Sequence, residues 1–160
     1  MSELRKKPWN RVDQPVYSIA SAWQGNANMN ICTYAVPVSL KPKLYVVALY
    51  RNTFTLELVG KRGEFLLQLL ERKQYRLVAR LGKTSGRNTH KLSSINEPVE
   101  WHHGLPYLSR ALAFVHLKVV RCFDTGDHLS TVCRVLTFRN LNHGIPLTTR
   151  YLKLKNIIRS

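Results

Sequence analysis

The stretch ALAFVHLKVVRCF (residues 111–123), followed by DTGD (124–127) and HLSTVCRVLTF (128–138), sets two long runs of aliphatic, aromatic and β-branched residues either side of four turn-formers. That composition predicts a pair of antiparallel strands closed by a tight turn. Upstream, LYVVALY (44–50) is a short, nearly continuous apolar run, expected as a strand buried on both faces. Val16-Tyr17-Ser18-Ile19-Ala20 alternates like a strand, and residues 64–69 return to one. Residues 29–38 carry Ile31, Thr33, Tyr34, Val36 and Val38, while Pro37 puts the later part at an edge or leaving the sheet.

Between these runs the pattern turns helical. Asn52 or Thr53 can cap a helix bearing Phe54, Leu56, Leu58 and Val59, with Gly60 and Gly63 bounding its exit. Tyr75, Leu77, Val78 and Leu81 fall at helical spacing up to a C-terminal cap at Gly82. Residues 85–92 are rich in turn-formers, Pro98 and Pro106 punctuate a loop, and residues 147–154 are expected as a final edge strand. Six or seven strands without β-α-β alternation predict an antiparallel barrel with appended helices.

The chain has 160 residues, 44% of them hydrophobic, which suits one core and one domain. Residues 1–14 are expected as a basic arm and residues 15–155 as the domain. No run approaches the roughly 20 apolar residues of a membrane span, and no apolar stretch follows the charged N-terminus, so a cytoplasmic protein is expected. Cys32, Cys122 and Cys133 are odd in number and sit in apolar runs, which predicts free thiols. The net charge of +16 favours an anionic partner. The basic residues are scattered over every segment, which argues against a dedicated nucleic-acid surface and leaves phosphate-bearing small molecules as good a fit.

Several familiar motifs fail. Gly82-Lys83-Thr84 lacks the upstream glycine of a phosphate loop, because Leu77 stands there. The six histidines make no zinc-ligand spacing with one another or with cysteine, and neither G-x-S-x-G nor a dinucleotide-binding glycine fingerprint occurs. What remains is an ordered set of landmarks: NICTYAVPVS (30–39), Lys41-Pro42, RNTFTLEL (51–58), Gly63-Glu64-Phe65, Ser85-Gly86-Arg87 with His90-Lys91-Leu92, Gly104-Leu105-Pro106, Ala111-Leu112-Ala113, Gly126-Asp127-His128, and Pro146-Leu147 before Arg150-Tyr151.

In that order, over about residues 15–152, the chain resembles the flavin reductase-like, FMN-binding split-barrel proteins. The resemblance implies a mainly β, six-stranded antiparallel split barrel of Greek-key order with a few appended helices. It also implies a homodimer with FMN at or near the subunit interface, reduced by NADH or NADPH. Its pyrimidine edge would meet Asn30, Ile31, Cys32 and Thr33, since an unpaired strand edge offers peptide donors and acceptors without charge. Its phosphate would meet Arg51, Asn52, Thr53 and Thr55, where a strand turns into a helix N-terminus. Ser85, Gly86, Arg87 and Lys91 are implied at the phosphate or ribityl tail, and Tyr151 at the ring. His128 is the implied catalytic candidate, placed to orient nicotinamide or supply a proton. Asp127 reads as a turn-former.

The function expected is an NAD(P)H-dependent flavin reductase, in which the cofactor supplies the redox chemistry and the protein the orientation. The alternative is a noncatalytic FMN-binding electron carrier served by a redox partner protein. A third reading, a flavin-free barrel that binds a polyanion, predicts affinity that falls steeply with salt.

Overall fold

The computed structural model describes residues 3–83, 86–87 and 91–159. Among these residues are nine strands and four short α-helices. β1 (Tyr17–Trp23), β2 (Asn26–Cys32), β3 (Ala35–Ser39) and β4 (Leu44–Tyr50) come first, then α1 (Phe54–Arg62), β5 (Glu64–Leu69) and α2 (Leu77–Lys83). α3 (Lys91–Ser94), β6 (Val99–His102), β7 (Leu105–Leu108), β8 (Ala113–Thr125), β9 (His128–Asn140) and α4 (Thr149–Leu154) follow.

Seven strands form one sheet in the order β2-β1-β5-β8-β9-β4-β3, with every pairing antiparallel. The two ends of that order, β2 and β3, are separated in the chain by Thr33 and Tyr34 alone. The sheet must therefore curl until its ends meet, which makes it a barrel. Counted as one bent strand, β2 and β3 give the six staves expected from the sequence.

One apolar cluster takes residues from every stave: Ile19, Cys32, Val47, Phe65, Leu67, Leu117 and Cys133, with Val59 from α1. It fills the barrel. A second cluster lies outside the sheet and packs Ala20, Met29, Leu66 and Phe114 against Leu81 of α2, Leu105 and Leu108 of β7, and Leu152 of α4. Each fully buried Leu or Phe in these clusters contributes about 1.5–3 kcal/mol of transfer free energy. The strands of the large sheet buried on both faces are therefore β1 and β5, between the two clusters, and not β4, where Val47 and Leu49 alone are buried.

Three local expectations are corrected. The proline-punctuated loop is a hairpin, β6–β7, whose turn residues His103 and Gly104 both have positive φ (48° and 75°), as a tight two-residue turn requires. Pro106 is tolerated there because a two-stranded sheet is all edge. The final edge strand is instead α4: the Thr148 hydroxyl accepts the Tyr151 N–H, and the Asp13 carboxylate accepts the Arg150 N–H at 2.7 Å. α2 runs through Gly82 to Lys83, preceded by a 3-10 turn over Arg72–Arg76.

Candidate functional site

At Thr33 and Tyr34 the chain stops pairing with β1 and begins pairing with β4, where the Tyr34 carbonyl accepts the Ala48 N–H at 2.9 Å. Upstream of that switch β2 pairs only with β1, so its other edge is open. Two hydrogen bonds fix which peptides face outward. The Ile31 N–H donates to its neighbour Asn30 Oδ1 at 2.9 Å, and the Met29 carbonyl accepts from Lys91 Nζ at 3.3 Å. Peptide directions alternate along a strand, so Met29 and Ile31 present their backbone to the opening while Asn28, Asn30 and Cys32 turn theirs to β1.

Two cavities lie along this edge and share Asn30, Ile31, Tyr50 and Thr53. The first, about 260 Å³, is bounded by residues 30–34, by Ala48, Leu49 and Tyr50 of β4, and by His128. His128 sits between two tyrosines, with ring centroids 5.0 Å from Tyr34 and 5.3 Å from Tyr50, both edge-on. Its Nδ1 lies 2.6 Å from Asp127 Oδ1. A carboxylate there is an acceptor, so Nδ1 carries the proton and Nε2 is left to exchange one.

The second cavity, about 460 Å³, runs between the start of α1 and the end of α2. Lys83 and Lys91 line it, and no carboxylate does among the described residues. Thr53 caps α1: its hydroxyl accepts the Leu56 N–H at 3.2 Å and donates to the Tyr50 carbonyl at 2.9 Å. The helix end adds its positive dipole to the same space. Lys91 is 3% exposed, and its ammonium donates to the carbonyls of Met29 and of Leu81 (2.7 Å), tying β2 to α2. Burial pushes its pKa down to about 8.

The far end of this cavity closes at Asn28. Its amide donates to Thr55 Oγ1 at 2.9 Å, and the backbone of Gly86 lies directly against it, so that a Cβ on Gly86 would overlap the Asn28 amide group. Both partners are buried, with Asn28 at 2% and Thr55 at 1% exposure. Only glycine fits there. One residue on, the Arg87 guanidinium pairs with Glu57 of α1.

Of the residues expected from the sequence, Cys32, Thr33, Thr55 and His128 line the first cavity, Asn52, Gly86 and Lys91 the second, and Asn30, Ile31 and Thr53 both. Ser85 lies outside the described residues. Three others lie elsewhere. Arg51 donates to Asp124 at 2.5 Å and to the Gly126 carbonyl at 2.8 Å, and its N–H meets the Asp127 carbonyl at 3.0 Å, so it clamps the β8–β9 tip to the end of β4. Arg87 is engaged by Glu57. Tyr151 rides on α4, with its ring 5.9 Å from Tyr75 and the Arg72 guanidinium 4.9 Å from its face.

Asn28, Tyr50 and Lys83 also line these cavities and were not among the residues expected from the sequence. Asn26, Asn28 and Asn30 alternate through a strand in which asparagine is disfavoured, and that period of two was the available signal for Asn28.

The family model for the flavin reductase like domain matches residues 9–152. An uncharacterized protein of Archaeoglobus fulgidus is 25% identical over 119 residues, which span 73% of this chain and 66% of that relative. Among solved structures, an FMN-binding protein from Thermus thermophilus with bound p-hydroxybenzaldehyde superposes with a TM-score of 0.76 at 25% identity, covering 84% of this chain and 77% of that one. The flavin reductase of the styrene monooxygenase from Pseudomonas putida S12 gives 0.73 at 20% identity, covering 86% of each chain.

Proposed function

The chain belongs to the flavin reductase-like domain family, and from that premise we propose that it binds FMN along the open edge of β2 and reduces it with NADH or NADPH. The observation that carries this reading is the pair of overlapping cavities, aromatic at one end and cationic at the other, joined along an unpaired strand edge. Their sizes lie within or near the roughly 300–1,000 Å³ usual for cofactor sites.

FMN, when bound, supplies the hydride-accepting chemistry. Its pyrimidine edge would meet the outward-facing peptide of Ile31 and the bend at Thr33, with Asn30 and Cys32 bordering the slot, and the tyrosines beside His128 would narrow it around the ring. Asn52, Thr53, Gly86, Lys91 and Lys83 hold the phosphate with helix-start amides and two ammonium groups. Asp127 fixes the tautomer of His128, whose Nε2 orients the nicotinamide or delivers a proton. A second copy of the chain covers the slot. In support of this dimer, Val36 and Val38 of β3, Val120 and Phe123 of β8, and Leu136 and Phe138 of β9 are each exposed by 40% or more.

A noncatalytic electron carrier is the second reading, favoured by the exposure of Tyr34 (55%) and Tyr50 (50%) at the slot mouth, a surface suited to a protein donor. The deciding experiment is the visible spectrum of the purified protein after FMN loading and desalting, followed by NADH and NADPH oxidation against a free-flavin blank. Flavin bands with nucleotide oxidation above the blank are the expected result. Flavin retained without oxidation of either nucleotide moves the assignment to the carrier, and a colourless protein that cannot be loaded removes both.

A further inference from the structure

The β6–β7 hairpin makes no backbone ladder with the large sheet, because its two strands pair only with each other. Holding it in place are Leu105 and Leu108, both fully buried in the outer cluster, and the Leu108 N–H, which donates to Gln68 Oε1 of β5 at 2.6 Å. The Arg62 guanidinium of α1 donates to the His103 and Gly104 carbonyls at its turn. An element fastened mainly through side chains opens more readily than the sheet beneath it.

Three imidazoles gather at that turn. The His102 ring lies 4.4 Å from that of His103 and 5.3 Å from that of His116 on β8, with the Phe114 ring at 4.8 Å. His102 is 9% and His116 4% exposed. His116 Nε2 lies 3.0 Å from Glu64 Oε2 of β5, so that carboxylate already has its imidazole. The acid on the hairpin itself, Glu100, accepts the Tyr107 hydroxyl at 2.6 Å. Against these stand three cations: Arg139 of β9 over the Phe114 ring, Arg62, and Lys118 opposite Glu64 in the strand register. His102 Nε2 is buried and has no hydrogen-bond partner. Among the described residues no three such groups are placed to hold a metal ion, but each imidazole can take up a proton. Both ring nitrogens donate in an imidazolium, so a protonated His102 carries a buried N–H at Nε2 with no acceptor, whichever tautomer the neutral ring has.

We propose that the cluster of His102, His103 and His116 is an acid-sensitive latch: proton uptake by His102 frees the β6–β7 hairpin from the sheet and loosens the flavin site through Gln68 and Met29. Gln68 is fully buried and takes the Leu108 N–H on its oxygen. Its amide donates to Ser18 Oγ at 3.3 Å and to Met29 Sδ at 3.7 Å. Met29 is the β2 residue whose carbonyl accepts from Lys91. Burial, with His103, His116 and Arg139 beside it, holds the His102 pKa below the ordinary 6.5. Opening the hairpin restores the higher value. Below about pH 6.5 the open form therefore binds the extra proton and is favoured as pH falls. FMN bound to the closed form opposes opening by the same factor as opening weakens FMN. This coupling rests on the flavin reading above, whereas the latch does not.

Amide hydrogen exchange of residues 99–108 in the FMN-free protein, corrected for the intrinsic rate, tests the latch between about pH 7.5 and 5.5. Opening should rise about 5-fold, since one proton taken up by the open form allows up to about 10-fold over that range, while β8 and β9 keep their protection. His102→Phe, which keeps a ring against Phe114, should flatten the response. His116→Gln, which releases Glu64 to pair with His102, should reduce it. NMR titration of the parent's imidazoles serves if neither variant folds, and should find His102 more than half neutral at about pH 6.5. With FMN added, the dissociation constant should rise about 5-fold over the same range in the parent and stay level in His102→Phe. Exchange that ignores pH, a rise of the same size in His102→Phe, or a His102 that titrates above its ordinary value would overturn the proposal. So would a hairpin that opens in acid while FMN affinity holds. A protein that binds no FMN at either pH sinks the flavin reading instead, and the exchange and NMR results then decide the latch alone.

Discussion

Lys91 Nζ lies between two backbone carbonyls in a nearly dry site, and burial takes its pKa from the ordinary 10.5 to about 8. The unfolded chain keeps the higher value. Between about pH 8 and 10.5 it is therefore the unfolded state that binds the extra proton, so the cost of burying this charge is present below pH 8 and is relieved as pH rises through that window. Anion affinity runs the opposite way. A neutral amine keeps both hydrogen bonds but loses its charge, so FMN binding should weaken as pH passes 8, by about 10-fold between pH 7 and 9.5. Fluorescence titration of FMN across that range checks this, and Lys91→Met should bind weakly with a flat profile. At this scale the sequence named Lys91 as a ligand candidate but did not reveal its burial, which sets it against Leu81 of α2 and against Met29, 62 residues away in the chain. Arg51 shows the converse. Its place beside a helix start suggested phosphate, and the hairpin tip, more than 70 residues away in sequence, claims the guanidinium.

At the level of elements, α1 was legible because both of its ends are written locally. Thr53 caps the start, and Gly63, at φ 77°, ends the helix with its N–H on the Val59 carbonyl at 2.7 Å. Thr53→Ala should cost about 1 kcal/mol, seen as a fall in Tm of about 2–4 °C by calorimetry. It should also weaken FMN, since the same hydroxyl fastens the helix start to the Tyr50 carbonyl. α4 was misread because LTTRYLKL offers β-branched and aromatic residues at strand-like spacing, while its decisive partner, Asp13, lies 136 residues from Thr149. The β6–β7 hairpin was hidden by its prolines. Its signal was the His103-Gly104 pair, which can take positive φ.

For the whole molecule, closure of the barrel and exposure of the β2 edge are one event. The bend at Thr33 and Tyr34 joins the sheet's ends and leaves β2 unpaired upstream. Val36 and Val38 follow directly on β3, both 52% exposed, beside the slot mouth. Val36→Glu/Val38→Glu should therefore give a folded monomer by light scattering and weaken FMN together with dimerisation. A dimer that persists in the variant would place the interface elsewhere. No helix among the described residues is long and apolar enough to cross a membrane.

By itself the sequence determined the main strand segments of the large sheet, the β8–β9 hairpin, the ends of α1 and the segments that border the groove, because periodicity, propensity and capping act over a few residues. Only the tertiary structure decided which edge of β2 is open, that Lys91 is buried, that Asn28 meets Gly86, that Arg51 serves the hairpin, and that His102 meets His116. Each of these depends on residues distant in the chain becoming neighbours, and local pattern carries no record of that.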